Sequence, residues 1–385
     1  MPTPTSSDTP KRPVIVIPSI RDIIAERIAN IPEDVDILVV DDSDGNIKPS
    51  RDRMKVFTYA DQREVMGKAY DVIPHKTSAC RDFAFYYIYL YTDHDLIITI
   101  DDDCMVPPDF LSSYSAVGTT GDFQNVTLDG WYNTISFMGV KGDDGETLYP
   151  RGFPYYLRRP AAETRSTVHG RLVCLMGLWN NVLDYNGIDK YVLPAYQKLH
   201  PTARPLERLL TVGTPAQPTK FALCSMNFGF TRDMIPAAYQ MPMDREIIPG
   251  YPLWRFEDIW GGYVIEALVH KRGGQDLVGI GEPTVGHLKE GNLVRETHGE
   301  HYGHLMSPFF YSFIDAAVAA IRPGTYAEMY FALYSYLVDN FDKVANDILI
   351  PEAYRPYFRE TFQRLERWGA LFNEAPARAA AARVG

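Results

Sequence analysis

The sequence of 385 residues contains few cysteines, and their spacing excludes several kinds of site. Cys80, Cys104, Cys174 and Cys224 lie far apart and form no CxxC pair. This spacing excludes a zinc ribbon and a thioredoxin-like redox motif. It favours buried, reduced thiols over a disulfide framework, so we expect a cytoplasmic protein.

Long hydrophobic runs are also missing. No stretch of about 18 apolar residues occurs, so we expect no transmembrane helix. The first twelve residues are Pro, Thr, Ser and charged residues without the apolar segment of a secretory signal. We therefore expect residues 1–12 to form a disordered leader.

Positive charge is scarce as well, because 38 Lys and Arg residues face 49 Asp and Glu residues, for a net charge of −11. A general nucleic-acid binder needs a basic face that replaces counterions, so we expect no nucleic-acid partner. A nucleotide substrate needs only a few local cations. Because the chain has neither a GxGxxG loop nor a GK[ST] phosphate loop, phosphates must be held in another way, which is consistent with a metal ion.

The segment LIITIDDDC, residues 96–104, is the most informative stretch that the sequence does contain. Its first five residues, rich in β-branched side chains, predict a buried strand, and Asp101, Asp102 and Asp103 follow without a spacer. Ligands bind at strand ends in open α/β sheets, and Asp101 and Asp103 would share a face if the strand continued. Adjacent carboxylates need a neutralising cation, and hard divalent ions prefer oxygen ligands and often also bind substrate phosphates. The segment therefore predicts a metal-bridged diphosphate site, with a solvated acidic turn as the alternative.

The flanking segments predict a parallel α/β sheet followed by helices. Residues 13–18 and 36–40 read as buried strands joined by a helix, the rhythm of a βαβ unit. From about residue 307, apolar residues recur at helical spacing. We predict a catalytic domain at 13–305, a helical C-terminal extension at 306–374 that packs on the sheet or on a second subunit of a homo-oligomer, and a frayed tail at 375–385.

Two segments place cations where anions could bind. Lys76 and Arg81 lie beside Ser78 at the start of a helix that leads to the triplet strand, which indicates either an anion cradle or an ordinary capped helix. Arg151 and Arg158 stand seven residues apart in the aromatic segment RGFPYYLR. Arginine forks hold phosphate bidentately, and the alternative is a surface loop with incidental charge.

Carboxylates and a histidine from the second half of the chain are further candidates. Glu257 and Asp258 open a predicted helix, where they either complement the helix dipole or face the reacting centre of a substrate. His287 follows a strand-like segment and could supply a distant metal ligand, although a lone histidine is more often structural.

Taken together, eight segments resemble the reversibly glycosylated polypeptide family, the family of the plant UDP-arabinopyranose mutases. They run in family order across roughly residues 13–300: VIVIPSIRD, HKTSACRDF, ITIDDDC, RGFPYYLR, HGRLVCLMGLWNNVLDY, LCSMNFGFTRDMI, RFEDIWGGYV and GHLKEGN. DDDC after a strand is shared with many glycosyltransferases, whereas SACR, RGFPYYLR and RFEDIWGG together are specific. The resemblance implies an α/β fold of GT-A type, a doubly wound mixed sheet flanked by helices, that binds a UDP-sugar through Mn²⁺ or Mg²⁺.

The resemblance also implies roles for individual residues. The expected metal ligands are Asp101, Asp103 and His287. The expected nucleotide- or sugar-binding residues are Arg21, Asp42, Lys76, Ser78, Arg81, Asp101, Asp102 and Asn227. The expected catalytic residues are Arg151, which matches the arginine associated with self-glycosylation, its partner Arg158, and the acidic pair Glu257 and Asp258. Asp-Asp is usual in the family where this chain has Glu-Asp.

Three functions remain open at this point. The first is a mutase that interconverts the pyranose and furanose forms of a UDP-sugar, with self-glycosylation at Arg151 as an accompanying activity. The second is a glycosyltransferase that moves the sugar to a small-molecule or protein acceptor. The third is a non-catalytic assembly subunit, against which the retained Asp triplet, Arg151 and Arg158 argue.

Overall fold

Strands and helices alternate in the first half of the chain, and helices dominate the last third. The computed structural model describes residues 11–23, 25–43, 45–159, 161–273, 276–288 and 291–382. The strands are β1 Pro13–Ser19, β2 Asp36–Asp41, β3 Met54–Phe57, β4 Leu96–Ile100, β5 Cys104–Met105, β6 Thr120–Thr127, β7 Trp131–Tyr132, β8 Thr164–Asn181, β9 Leu209–Val212, β10 Lys220–Phe221, β11 Asn227–Thr231, β12 Glu246–Ile248, β13 Tyr251–Pro252 and β14 Asp276–His287.

The α-helices differ widely in length, from single turns in the loops to two long helices near the C-terminus. They are α1 Ala25–Ile28, α2 Tyr59–Met66, α3 Asp82–Tyr91, α4 Phe110–Ser113, α5 Thr134–Phe137, α6 Gly187–Val192, α7 Glu257–Lys271, α8 Leu293–Ala320, α9 Tyr326–Asp339, α10 Phe341–Asp347 and α11 Arg355–Ala382. None of the helices in the described ranges has both the length and the apolar character that crossing a bilayer requires.

One mixed sheet forms the centre of the fold. Its strand order is β3-β2-β1-β4-β11-β8-β6-β9-β14-β5, with an additional pairing of β8 and β14. β1, β2, β3 and β4 are mutually parallel, β11 runs antiparallel to both β4 and β8, and β14 is parallel to β8. The carboxyl ends of β1, β2, β4, β8 and β14 therefore lie at the same edge. The predicted α/β class, a mixed sheet flanked by helices with a helical C-terminal region, is confirmed.

The strand that precedes the Asp triplet is where the sequence placed it, but it ends before the triplet. All five residues of β4 are buried, as expected for the centre of a parallel sheet. Asp101 and Asp102 begin a turn rather than continue the strand. The strand does not continue past Ile100, so strand alternation does not decide whether Asp101 and Asp103 share one face.

Strand β5 connects the triplet to the far end of the chain. Its residue Cys104 pairs in antiparallel register with His287, the last residue of β14. His287 also pairs with Asn181 at the end of β8. Two residues more than 180 positions apart in the chain are thereby fixed beside each other by backbone hydrogen bonds.

The C-terminal helices pack on the sheet region through aromatic side chains. Trp260 of α7 stacks on Phe310 of α8 with ring centroids 4.4 Å apart. Trp368 of α11 is fully buried, and its ring centroid lies 6.0 Å from that of Tyr86 of α3. The predicted division at 305–306 stays a prediction, and α8 runs continuously through it from its cap at Asn292. The predicted leader, apart from residues 11 and 12, and the last three residues of the predicted tail lie outside the described residues.

Candidate functional site

The second carboxylate of the triplet is held by residues at the end of β1. The hydroxyl of Ser19 donates to Oδ2 of Asp102 at 2.5 Å, and Nε of Arg21 donates to the same oxygen at 2.9 Å. A guanidinium nitrogen of Arg21 also bonds the other Asp102 oxygen and lies 3.6 Å from Asp103. The Arg21 side chain is 44% exposed, so this cation faces the open end of the cluster.

The first carboxylate of the triplet is paired with a buried arginine. Arg81 is fully buried and forms an ion pair with Oδ1 of Asp101. Its remaining nitrogens donate to the hydroxyl of Thr99 at 2.7 Å and to the carbonyls of Ser78 and Ser225, each at 2.9 Å. Because its donors are bound to protein atoms, Arg81 orients Asp101 rather than presenting an open fork to a phosphate.

The third carboxylate faces His287. Nδ1 of His287 lies 2.7 Å from the carbonyl of Val182, so this nitrogen carries the proton and Nε2 is left as a lone-pair donor. Nε2 lies 4.0 Å from Oδ1 of Asp103. Mg²⁺ binds its ligands at about 2.0–2.1 Å, so two atoms at this separation can contact one ion.

These donors fit a divalent cation that shares its coordination with a substrate. In the described part of the chain, no three His, Cys, Asp or Glu side chains are grouped as a metal site. Asp103 and His287 are two donors with suitable chemistry, and ions of this kind commonly complete their shell with substrate phosphates and water. Asp101, the other predicted ligand, forms an ion pair with Arg81 through Oδ1.

A further polar group, formed by Asp42, Tyr59 and His75, lies at the end of β2. The carboxylate of Asp42 is buried and accepts the Tyr59 hydroxyl at 2.7 Å, while Nδ1 of His75 lies 3.6 Å away. The second oxygen of Asp42 and both ring nitrogens of His75 are buried without a hydrogen-bond partner among the described residues. The neighbouring Lys76 is exposed and has a φ of +60°, in the left-handed region. This group therefore offers unused polar atoms beside an exposed cation.

The exposed Ser78 does not cap the following turn. Thr77 does so instead, because its hydroxyl accepts the Ala79 amide at 3.1 Å. Ser78 contributes its carbonyl to Arg81.

Arg151 is enclosed by two aspartates. Its Nε donates to both oxygens of Asp184, at 2.8 and 3.0 Å, and its two terminal nitrogens donate to Asp258 at 3.0 and 2.9 Å. The remaining donors reach the Arg255 carbonyl and the sulfur of Cys224. Burial lowers the pKa of Arg151, but the two carboxylates outweigh it and raise the pKa above its ordinary value. Arg151 is thus a buried, fully bonded cation and not a loop arginine open to phosphate.

The acidic pair at the start of α7 has two different environments. Asp258 is bound by Arg151 and accepts the backbone amides of Ser225 at 3.1 Å and Ile259 at 2.9 Å. Glu257 is only 6% exposed, and its carboxyl group accepts a hydrogen bond from its own backbone amide. Burial raises the pKa of Glu257 to about 7. With a pKa of about 7, Glu257 can gain or lose a proton near neutral pH.

Arg158, the second arginine of RGFPYYLR, binds a different aspartate from the two that bind Arg151. Arg158 holds Asp189 of α6 bidentately, at 2.9 and 2.6 Å, and stacks on Tyr155 at 3.9 Å from the ring centroid. The amide of Asn186 donates to Asp189 at 2.9 Å and accepts the Gly152 backbone amide at 3.0 Å. Asn186 therefore links the pocket of Arg158 to the residue that follows Arg151.

Ser225 joins the triplet to the acidic pair. Its backbone amide donates to Asp258 and its carbonyl accepts Arg81, which in turn holds Asp101. The predicted site residues from β4 and α7 are thus connected by a continuous chain of hydrogen bonds.

Asn227 makes structural hydrogen bonds in this arrangement, and its predicted contact with a nucleotide or sugar stays a prediction. It is fully buried. Its amide donates to the carbonyls of Leu178 at 2.9 Å and Pro283 at 2.7 Å, and its oxygen accepts the Tyr114 hydroxyl at 2.7 Å. These bonds tie β11 to β8 and β14 and leave no donor for a ligand.

Several residues of the site were missed from the sequence. Ser19 and Asp184 lie at or just beyond strand ends at the same edge as the triplet, so the strand-end rule could have indicated them. Arg255 has a φ of +64° and donates to Glu300 at 2.6 Å and Asp184 at 3.2 Å. A strained non-glycine backbone of this kind is common at functional sites but has no local sequence signal.

Known proteins are similar to this chain over most of its length. UDP-arabinopyranose mutase 2 of Arabidopsis thaliana is 29% identical over 310 residues, covering 77% of each chain. UDP-arabinopyranose mutase 1 of Oryza sativa subsp. japonica is 25% identical over 398 residues, covering 100% of this chain and 98% of the relative. A solved structure of GalNAc-T7 with UDP, GalNAc and Mn²⁺ aligns at 12% identity with a TM-score of 0.35, over 87% of this chain and 57% of that one, which is too distant to support an argument. The family model described as reversibly glycosylated polypeptide matches residues 12–346, and the chain belongs to that family.

Proposed function

We propose that this protein is a metal-dependent UDP-sugar mutase that interconverts the pyranose and furanose forms of the sugar, as the names of its relatives suggest. Family membership supports the nucleotide-sugar substrate. The observation that carries the proposal is the hydrogen-bonded chain from the Asp triplet to the acidic pair of α7. That chain connects the cation-lined strand edge to Asp258, and the titratable Glu257 is the neighbour of Asp258 in the acidic pair.

The nucleotide is proposed to lie along the carboxyl edge of β1, β2 and β4. Asp42, with its buried free oxygen, and His75 are suited to the polar atoms of the uridine. Arg21, which binds Asp102, and the exposed Lys76, which follows His75 in the chain, are cations at this edge, and we assign the diphosphate to them. Asp102 holds the Arg21 guanidinium in place, and Arg81 does the same for Asp101.

Asp103 and His287 would hold the divalent cation, Mn²⁺ or Mg²⁺. When bound, such an ion neutralises the charge that develops on the diphosphate as the glycosyl bond loosens. Val182 fixes the His287 tautomer so that Nε2 is the coordinating atom.

The sugar chemistry is assigned to Glu257. Conversion between ring sizes requires one hydroxyl to lose its proton as its oxygen closes a ring on the anomeric carbon. The former ring oxygen must gain a proton as its bond to that carbon breaks. A carboxyl group with a pKa of about 7 can accept the first proton and supply the second. Asp258 is the fixed member of the pair, because Arg151 and the Ser225 amide hold its oxygens.

Arg151 is proposed to position Asp258 rather than to carry the sugar covalently. Its donors are all bound, and its raised pKa disfavours the neutral guanidine that would act as a nucleophile. Self-glycosylation at Arg151 would first require these ion pairs to open. A peptide map of protein incubated with UDP-sugar tests the point, since a sugar found on Arg151 would contradict the positioning role.

Turnover without an acceptor distinguishes the candidate functions. Purified protein is incubated with UDP-arabinopyranose and Mg²⁺, and the nucleotide sugars are followed by NMR. A furanose product at constant total nucleotide sugar supports the mutase. Release of UDP only when a small-molecule or protein acceptor is added supports a glycosyltransferase instead. Absence of turnover with every UDP-sugar and metal favours a non-catalytic assembly subunit.

The remaining features of the proposal concern location and assembly. All four cysteines are buried and unpaired, which supports a reducing, cytoplasmic compartment. A homo-oligomer stays a prediction, and light scattering of the purified protein tests it.

A further inference from the structure

A cavity lies against the C-terminal half of α7 and shares no lining residue with the proposed UDP-sugar site. It has a volume of about 470 Å³ and is lined mostly by apolar residues, with four polar ones: Lys220, His270, Lys271 and Asp315. Pro215 and Pro218 on its rim are exposed, so solutes can reach it. A mostly apolar cavity of this size with a few polar groups is typical of small-molecule sites.

Three elements place these side chains around one space. β10 pairs with β7, so that Lys220 lies in register with Trp131. Tyr263, Ala267 and His270 recur at helical spacing and present one face of α7 to the cavity. α8 contributes Asp315, whose Oδ1 accepts the Tyr263 hydroxyl at 2.8 Å.

Lys220 is the unusual member of this cavity. It is 7% exposed, and its ammonium group lies 4.4 Å from the centroid of the Tyr263 ring. Among the residues that the structure describes, it has neither a hydrogen bond nor an ion pair through Nζ. A cation–π contact attracts the charge but supplies no acceptor for the three N–H donors of an ammonium group that lines the cavity.

The neighbouring carboxyl groups do not supply an anion within contact distance of Lys220. Glu266 is buried, accepts the Phe221 amide at 3.1 Å, and has a pKa raised by burial to about 8, so it is largely protonated at neutral pH. Asp315 is engaged by Tyr263. Burial lowers the pKa of Lys220, against the opposing effect of Glu266 and Asp315. The second lysine of the cavity, Lys271, adds a further positive charge.

We propose that this cavity is a second ligand site for a small organic anion, a molecule with one phosphate or carboxylate group on a compact body. The anionic group accepts hydrogen bonds from Lys220, and the remainder of the ligand lies against the apolar wall. A phosphate and a carboxylate both supply what the site requires, which is an anionic oxygen that accepts hydrogen bonds from the ammonium group of Lys220. The site is independent of the proposed mutase activity, because Asp258 and the cavity-lining Ala267 lie on opposite halves of α7.

A pair of matched aldehydes tests the proposal. Pyridoxal 5′-phosphate and pyridoxal carry the same aldehyde, and only the first carries a phosphate. The lysine amine adds to the aldehyde carbon and water leaves to form an imine, which borohydride reduces to a stable secondary amine. The labelled lysines are then quantified by peptide mass spectrometry. The reaction is run on the full chain with saturating UDP and Mg²⁺, so that phosphate groups cannot report on the nucleotide site.

The exposed Lys141 provides the internal control. We expect the ratio of pyridoxal 5′-phosphate label to pyridoxal label to be at least tenfold lower at Lys220 than at Lys141, because a phosphate bound to the Lys220 ammonium group keeps the aldehyde of the same molecule away from Nζ. We also expect millimolar inorganic phosphate or acetate to reduce the Lys220 label severalfold without changing the Lys141 label, and the more effective competitor identifies the anionic group. Equal ratios at the two lysines, or a Lys220 label that neither anion reduces, would overturn the proposal.

Discussion

The raised pKa of Glu257 predicts a specific change in stability with pH. The side chain is 6% exposed, and burial moves its pKa from the ordinary 4.5 to about 7 in the folded protein. A carboxyl group with a raised folded-state pKa binds more protons when folded than when unfolded. Its stabilising effect is therefore complete below the unfolded pKa of 4.5 and is lost as pH rises towards 7.

The size of this effect follows from the shift. The pKa shift of about 2.5 units corresponds to roughly 3.4 kcal/mol of stability, at about 1.36 kcal/mol per unit. About 2.5 kcal/mol of this stability is lost between pH 5 and pH 8. Glu257→Gln mimics the protonated group and removes the pH dependence of this position. We expect the free energy of unfolding of the wild type, relative to this variant, to fall by about 2.5 kcal/mol from pH 5 to pH 8.

Urea unfolding at the two pH values measures this difference. Glu64→Gln is the matched control, because Glu64 is exposed and makes no side-chain hydrogen bond or ion pair with the described residues. The control should track the wild type at both pH values. A wild-type–Glu257→Gln difference that is the same at pH 5 and pH 8 would refute the argument that Glu257 is desolvated, and with it the reason for assigning the proton transfers to this residue.

Three further substitutions separate functional from structural residues. Asp103→Asn should abolish metal-dependent UDP binding in equilibrium dialysis while the exposed control Asp109→Asn binds normally; unchanged affinity would remove Asp103 from the metal site. Arg151→Met removes the cation bound to Asp258 and leaves Asp184 with Arg255 alone, and we expect it to cost about 3–5 kcal/mol in urea unfolding, against little effect for the exposed Arg159→Met. Asn227→Ala should cost about 1–3 kcal/mol by freeing buried carbonyls, without weakening UDP binding; loss of binding at full stability would restore its predicted role as a ligand.

The parts of the site that lie at strand ends could be predicted from the sequence. A run of buried β-branched residues followed by acids is a local pattern, and β4 with Asp101 is an example. The parallel order of β1, β2 and β4 then brings Arg21 and Asp42 to the same edge. The position of His287 beside the triplet was implied by the family resemblance, and the β5–β14 pairing gives its structural cause.

The partners of the arginines could not be predicted, because they depend on contacts between distant segments. Arg151 pairs with Asp184, 33 residues away, and with Asp258, 107 residues away, and no spacing rule connects these positions. The expectation of a phosphate-binding fork came from the arginine alone, whereas burial between two carboxylates decides its role. The hydrogen bonds of Asn227 could not be predicted for the same reason, since they come from two other strands and from Tyr114.

A crystal structure of the protein with UDP and Mn²⁺ tests the central claim most directly. The account predicts an anomalous manganese peak in contact with Asp103 and Nε2 of His287. It also predicts the diphosphate beside Arg21, and the uridine against Asp42 and His75. A nucleotide bound elsewhere, or a metal ion remote from both Asp103 and His287, would contradict it.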